Sequence, residues 1–322
     1  MVERASLRIV FFGTPDFAVP TLSALLRSRH DVIAVVSQPD RARDRHGRTV
    51  PTPVKRAVTA DVPVLQPERL KEPPFHDAIR ALQPDLGVVA AYGKILPEWL
   101  LALPRLGMVN VHASLLPRYR GAAPIQRAVM AGEPATGVTI MRIVKELDAG
   151  PMLARVVRPI AADATSGDVA RDLAAAGGEL LVHVVDALAE GRATEEPQDH
   201  ATATYAAKIT PGDTEIDWRR PAREIHDQVR GLNPAPCAWT RVDGVRVLVL
   251  RTAVEDPTRA LPETRQAGGA PGEVQYAKGE ALLVATGHGL LRVLELKPEA
   301  RRAMEVRDFL AGHPLPRGTR LR

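Results

Sequence analysis

One cysteine in 322 residues, Cys237, is too few for a disulfide framework and leaves no cysteine cluster to ligate a metal. Such a chain suits a reducing, cytoplasmic setting, and Cys237 reads as a small buried thiol. Aromatic residues make up only 4%, so aliphatic side chains must dominate the core. Long hydrophobic runs are also missing. The run Leu7–Phe12 is short and leads straight into "GTPDF", unlike a signal peptide. The stretch Ala174–Ala189 is broken by Glu179, His183 and Asp186 and cannot span a bilayer, so a soluble protein without a membrane partner is expected. Two nucleotide motifs are lacking as well. "FFGTPDF" has one glycine where a dinucleotide fingerprint needs three, and no G-x-x-x-x-G-K-[ST] occurs, which disfavours a nicotinamide enzyme or a nucleotide triphosphatase.

What is present is enough apolar sequence, 45%, against 25% charged residues, to build a buried core rather than a disordered chain. The length fits two domains. The net charge of +5 is modest, but its placement is informative. Arg41, Arg43, Arg45, Arg48, Lys55 and Arg56 crowd one segment against a single acid, Asp44, and the chain ends "PRGTRLR" with Arg317, Arg320 and Arg322 unopposed. Basic segments near both ends suit a polyanion held through its phosphates, although a solvated charged loop gives the same pattern.

The first half alternates β-branched runs with helical patterns. Leu7–Phe12, Val32–Ser37, Leu86–Tyr92 and Gly107–His112 read as strands, with "FAVPTLSALLRSR" as a helix. Strands apolar on both faces and separated by helices predict a doubly wound, mostly parallel α/β sheet of Rossmann-like type, with ligands at the carboxyl ends of its strands. Gly137–Val144 and Ala154–Ile160 are two later strands joined through "KELDAGPML", and a long helix follows, capped by Thr165 or Ser166. The pattern assigns 1–190 to this domain and the polar, period-free stretch 191–209 to a linker. It assigns 210–322 to a second domain containing a helix, Pro221–Leu232, and five glycine-punctuated strands. Five short strands suit a small β-barrel of oligonucleotide-binding (OB) type.

Residues two apart in a strand point to one side, so Asn110 and His112 project together from the end of a central strand. An asparagine amide can donate to a developing oxyanion, and a histidine can take or deliver a proton near neutrality. Asp148, in "ELDAG", can orient the imidazole or an attacking group. Donor, acid/base and carboxylate without a protein nucleophile suit acyl transfer to a nucleophile brought by the substrate. The same residue types also serve as strand-end and turn formers, so spacing alone leaves both readings open.

The blocks "NVHASLLPRYRGAAPIQRA", "GTPDFAVP", "QPDRARDRHGRTVPTPVK", "AAYGKILP" and "GVTIMRIVKELDAGPML", with "TYAAKI", "IDW", "RGLNPAPCAW" and "LELKPEARRAMEVRDFLAG", resemble the methionyl-tRNA formyltransferases, a family of folate-dependent formyltransferases. The resemblance covers essentially the whole chain. It implies transfer of the formyl group of 10-formyltetrahydrofolate, a consumed cosubstrate with no metal, to the methionine α-amine of initiator methionyl-tRNA, by a monomer. It places the catalytic trio on Asn110, His112 and Asp148 and the folate-contacting segment on Ser114, Leu115, Leu116 and Pro117. It likens Tyr92–Pro97 to a wall of the pterin site, and the loop containing Arg41, Arg43, Arg45 and Arg48 to the insertion that reaches the tRNA acceptor end. Two departures stand out. Asp44 and His46 replace loop glycines, and Lys145 and Glu146 stand where the family carries an aspartate and a glycine. Relatives acting on glycinamide ribonucleotide need little beyond the first domain. A formyltetrahydrofolate hydrolase and the sugar-nucleotide formyltransferases also carry a second domain, and by the resemblance the basic loop is what separates them from this chain.

Overall fold

The computed structural model describes residues 6–40, 49–59, 61–256 and 269–322. It divides into two compact units. The first comprises the described residues of Met1–Pro124 with Ala135–Pro159 and Ala170–Ala206; the second comprises those of Ile125–Pro134, Ile160–Val169 and Ala207–Arg322.

The first unit is built on β1 (Arg8–Gly13), β2 (Asp31–Val36), β3 (Val64–Leu65), β4 (Leu86–Ala90) and β5 (Met108–His112). With them go α1 (Val19–Leu26), α2 (Pro53–Ala57), α3 (Pro73–Leu82) and α4 (Glu98–Leu101). After the two-residue β6 (Arg120–Gly121) and α5 (Pro124–Met130), whose residues from Ile125 on belong to the second unit, come β7 (Ala135–Arg142) and β8 (Met152–Pro159). The sheet order is β3-β2-β1-β4-β5-β7-β8. The pairs from β3 through β5 are parallel, and β5–β7 and β7–β8 are antiparallel. A parallel sheet needs both faces covered, and the burial fits: every residue of β4 and all but the first of β1 are buried. The β7–β8 connection is too short for a helical crossover, so these strands run antiparallel.

Helix α1 opens with Pro20 in its first turn, preceded by a single 3-10 turn at Asp16–Ala18, which explains why the helix starts later than its apolar pattern. Helix α6 (Ser166–Ala189) starts at a reciprocal cap in which the Asp168 carboxylate accepts from the Thr165 backbone N–H and the Asp168 N–H donates to Thr165 Oγ1. The residues that interrupt its apolar run sit on its outer side. Glu179 and His183 are exposed, and Asp186 is tied to Arg29 and to His30. Gly177 sets the depth of packing, because a Cβ there would stand 2.9 Å from Val111, the residue between Asn110 and His112.

Tyr92, 1% exposed, lies edge-on to Phe12, and its hydroxyl finds no hydrogen-bond partner among the described residues. Burial pushes this phenol up to about 12. Below pH 10 both folded and unfolded states keep the proton. Between 10 and 12 the unfolded state loses it first, so stability falls as pH rises, by about 1.4 kcal/mol per unit. Tyr92→Phe removes an unsatisfied buried hydroxyl. It is expected to raise neutral-pH stability by about 1 kcal/mol and to flatten this alkaline decline in a urea-melt series. A destabilised variant would show that the hydroxyl has a partner in solution.

The stretch expected to link the domains, 191–209, is laid against the first unit over most of its length. Glu196 bridges Met152, and β9 (Tyr205–Ala206) pairs in parallel with β6. Low periodicity hid this, because the segment is anchored by backbone pairing and single polar side chains rather than by an apolar face.

The second unit holds α7 (Ala222–Leu232), β10 (Ala238–Val242), β11 (Val245–Val254), β12 (Val274–Lys278), β13 (Ala281–Ala285), β14 (Leu290–Pro298), β15 (Met304–Glu305) and α8 (Val306–Gly312). Its strands form one antiparallel sheet in the order β10-β11-β14-β13-β12, with β15 on β14. The α7 face Ile225, Val229 and Leu232 joins Val247, Val249, Val284, Leu291 and Phe309 in the core. Asp213 accepts from both terminal guanidinium nitrogens of Arg127, which hold its carboxyl well below the usual range. The last residues touch both ends of the strand order. Val274 on β12 donates to the Thr319 carbonyl, and Arg322 exchanges backbone hydrogen bonds with Arg241 on β10.

Candidate active site

Strand β5 lies between β4 and β7, with Asn110 opposite Val89 on one side and Met141 on the other. Asn110 and His112 share its upper face. Asn110 is partly exposed, and its amide makes no side-chain hydrogen bond among the described residues, so both N–H groups are available to a ligand. His112 ends the strand and is buried, 5% exposed. Its Nε2 lies 3.0 Å from the Tyr119 carbonyl. A carbonyl can only accept, so Nε2 carries hydrogen and Nδ1 is the nitrogen at which a further proton arrives. Nδ1 faces the Asp148 carboxylate at 3.7 Å.

The loop after β5 must curl back sharply for its carbonyl to reach His112, and Tyr119 adopts φ +60 to do so. Thr139, opposite His112 on β7, staples this loop. Its hydroxyl donates to the Ser114 carbonyl at 2.7 Å and accepts from the Leu116 N–H at 3.1 Å. Ser114 Oγ donates to the Arg118 carbonyl at 2.7 Å. The side chain of Leu116 is buried with Met141 and Met152. What Ser114, Leu115, Leu116 and Pro117 offer a ligand is therefore the backbone and the partly exposed Leu115 and Pro117.

Asp148 arrives from the loop between β7 and β8, in the left-handed region at φ +49. Its Oδ2 accepts from the Gly121 N–H at 2.8 Å, so the same oxygen is fixed by β6 and turned towards His112. Gly150 lets the loop fold back on β7, because a Cβ there would stand 2.0 Å from the Arg142 carbonyl. Behind the loop, Gln198 donates to the carbonyls of Asp148 at 2.9 Å and Gly150 at 2.7 Å. Arg120 grips the other end of that amide, donating to Gln198 Oε1 from Nε at 3.0 Å and Nη2 at 2.7 Å. The sequence holds no signal for Gln198 or for the Tyr119 carbonyl. One is a lone amide in a polar stretch, and the other acts through backbone.

Lys94, in the loop Tyr92–Pro97, donates to the carbonyls of Pro67 and Glu68 at 2.8 Å each. With Leu70, Pro97 and Trp99 it lines a cavity of about 640 Å³ beside Ile95, which is 95% exposed. Arg41, Arg43, Arg45 and Arg48 lie outside the described residues. Their flanks are anchored, since Asp40 accepts from the Thr52 N–H at 3.2 Å and pairs with Lys55 at 2.6 Å. Among the described residues, no group of three or more His, Cys, Asp or Glu side chains is placed to hold a metal, and no helix is long and apolar enough to cross a membrane.

On the second unit, Arg241 and Arg246 stand opposite each other across β10 and β11, with their guanidinium carbons 5.4 and 4.7 Å from the Trp239 ring. Neither arginine has an acidic partner among the described residues, nor do the exposed Arg317, Arg320 and Arg322. Directly opposed like charges destabilise a hairpin, so an anion is the natural complement of this face.

The end of the interior strand β5 and the β7–β8 loop bring together an amide, an imidazole and a carboxylate, a set of groups that can serve acyl transfer. Residues 7–185 match the formyl transferase model and residues 208–314 the model of the formyl transferase C-terminal domain, and the chain belongs to this family. It is 46% identical to the methionyl-tRNA formyltransferase of Methylococcus capsulatus over 96% of this chain and 98% of that one. It is 44% identical to the methionyl-tRNA formyltransferase of Moorella thermoacetica over 97% and 98%. Among solved structures, it shares its fold with HypX from Aquifex aeolicus in complex with tetrahydrofolic acid (TM-score 0.64, 18% identity, 95% of this chain and 47% of that chain). It also shares the fold of an N-formyltransferase from Helicobacter canadensis (TM-score 0.66, 15% identity, 89% and 99%).

Proposed function

We propose that this protein transfers the formyl group of 10-formyltetrahydrofolate to the α-amine of methionine on initiator methionyl-tRNA, for translation initiation, acting as a cytoplasmic monomer. The observation that carries the assignment is the full-length identity of 46% and 44% to methionyl-tRNA formyltransferases. Mixing charged initiator tRNA with 10-formyltetrahydrofolate and assaying N-formylmethionine on the tRNA tests it. Folate turnover without that product would move the assignment to another acceptor or to a hydrolase.

In this reading the methionine amine, in its neutral form, attacks the formyl carbon, and the carbonyl oxygen becomes an oxyanion. Asn110, with its amide uncommitted, donates to that oxygen as charge develops. The attacking nitrogen sheds a proton, and Nδ1 of His112 takes it up. Asp148, 3.7 Å away, stabilises the resulting imidazolium, whose Nε2–H remains engaged by the Tyr119 carbonyl. The tetrahedral intermediate then collapses. The bond from carbon to N10 breaks, and His112 returns the proton to N10, so one formyl group and one proton have changed places. Ser114, Leu115, Leu116 and Pro117 grip the folate through backbone and through the Leu115 and Pro117 side chains, and the loop Tyr92–Pro97 walls the pterin.

Arg41, Arg43, Arg45 and Arg48 contact the tRNA acceptor end. The second domain is read as a closed OB-type barrel, supported by the C-terminal residues bonding to both β10 and β12. Its Trp239–Arg241–Arg246 face and arginine-rich tail contact phosphates. Arg241→Ala with Arg246→Ala is expected to weaken tRNA binding and to leave folate affinity unchanged. The slope of log affinity against log salt should become shallower by about 0.7–0.9 for each phosphate that is no longer neutralised. An unchanged slope in a filter-binding series would remove this face from the tRNA site.

A further inference from the structure

The buried polar groups around Asp148 form a chain of command that neither the trio nor the folate segment accounts for. Gln198 is 5% exposed and Arg120 3% exposed, and Arg120 has no acidic partner among the described residues. A buried guanidinium without a counter-charge is costly, and of its contacts one is to His200 Nδ1 at 3.4 Å while the two shorter ones both go to a single amide oxygen. What they do is settle which way the amide points. With Oε1 captured by Arg120, the Nε2 hydrogens can only face the loop, and both are used, on the carbonyls of Asp148 and Gly150. Those two carbonyls flank the one residue between them, so the grip fixes the backbone from which the catalytic carboxylate hangs. Asp148 needs such a grip because its φ of +49 is a conformation that residues with a side chain adopt rarely. The neighbouring Gly121 N–H then fixes Oδ2 itself. One dipeptide, Arg120–Gly121, thus acts on Asp148 twice, through the Gln198 amide from behind and through its own backbone in front.

We propose that Gln198, oriented by Arg120, is a positioning residue for the formyl transfer, setting the place of the Asp148 carboxylate beside His112. The inference rests on the reading of the reaction given above, with Asp148 as the group through which Gln198 acts. A misplacement of about 1 Å in such a group costs on the order of 100-fold in rate. Gln198→Met keeps the length of the side chain and loses every hydrogen bond. Gln198→Glu keeps the size and pairs with Arg120, but turns a second oxygen onto two carbonyls.

The test is initial-rate kinetics on the full chain, with each variant made alone and in an Asp148→Asn background, alongside thermal melts. Both variants are expected to lose about 100-fold in kcat, with KM for tRNA and for the formyl donor within about threefold. In the Asp148→Asn background the further loss should be under about threefold, because a group that acts only through the Asp148 carboxylate has little left to position. Equal losses in both backgrounds, a change confined to KM, or a rate loss that tracks the fall in melting temperature would each overturn the inference. A folded wild-type chain that forms no formylmethionyl-tRNA would instead overturn the acceptor assignment, and the inference with it.

Discussion

His112→Ala is expected to lower kcat for formyl transfer by about 10³-fold while leaving folate affinity within a few-fold of wild type. In the proposed reaction the imidazole is the one group on β5 that can both take the proton leaving the amine and return it to N10, and among the described residues no neighbouring side chain is placed to replace it. Around it stand the Tyr119 carbonyl, which can only accept, and the Asp148 carboxylate, already bonded to the Gly121 N–H. The proposed folate segment is held independently, by Thr139 on β7, so its grip does not depend on the imidazole. Single-turnover formylation and equilibrium folate binding, measured on the same preparation, separate the two effects. Turnover within tenfold of wild type would remove His112 from the proton path. A parallel loss of folate affinity would make it a structural residue of the loop.

What the sequence discloses of this site follows the physics of each part. Asn110 and His112 were legible because a strand has a period of two and because polar residues at the end of an otherwise buried strand demand a reason. The parallel sheet was legible from runs such as those of β1 and β4, apolar on both faces. The orientation of β7 and β8 was not read from the sequence; the structure runs them antiparallel, as a connection too short for a crossover requires. Asp148 was visible as a loop carboxylate able to orient either the imidazole or an attacking group, but its seat 3.7 Å from Nδ1 of His112 was not. That contact depends on a left-handed backbone and on Gly150 folding the loop back against Arg142, which no periodicity encodes. Gln198 and the Tyr119 carbonyl were hidden for a related reason. They act through single hydrogen bonds across 50 residues or through backbone, and a polar stretch such as 191–209 reads as linker whether or not one of its amides is buried. The second unit gave up its helix and its five main strands, since each carries its own pattern. It did not reveal β15, only two residues long, or α8.

Asp148→Asn isolates charge from shape, and it is expected to cost about 10³-fold in kcat, or about 4 kcal/mol of transition-state stabilisation. The asparagine has the same outline. The Gly121 N–H requires an acceptor, so the amide oxygen takes the position of Oδ2 and the NH2 group turns away. The loop, still gripped at both carbonyls by Gln198, has no reason to move. What changes is that Nδ1 of His112 now faces a neutral oxygen at about the same separation, and the imidazolium formed when the amine gives up its proton loses its counter-charge. Melting temperature and folate affinity should therefore stay near wild type while kcat falls. If the two groups form one proton-handling unit, adding His112→Ala to Asp148→Asn should cost far less than the product of the single losses. Multiplicative losses would mean that Asp148 acts on the attacking amine or a bound water rather than through the imidazole, and substantial residual turnover in both single variants would sink the assignment of the pair.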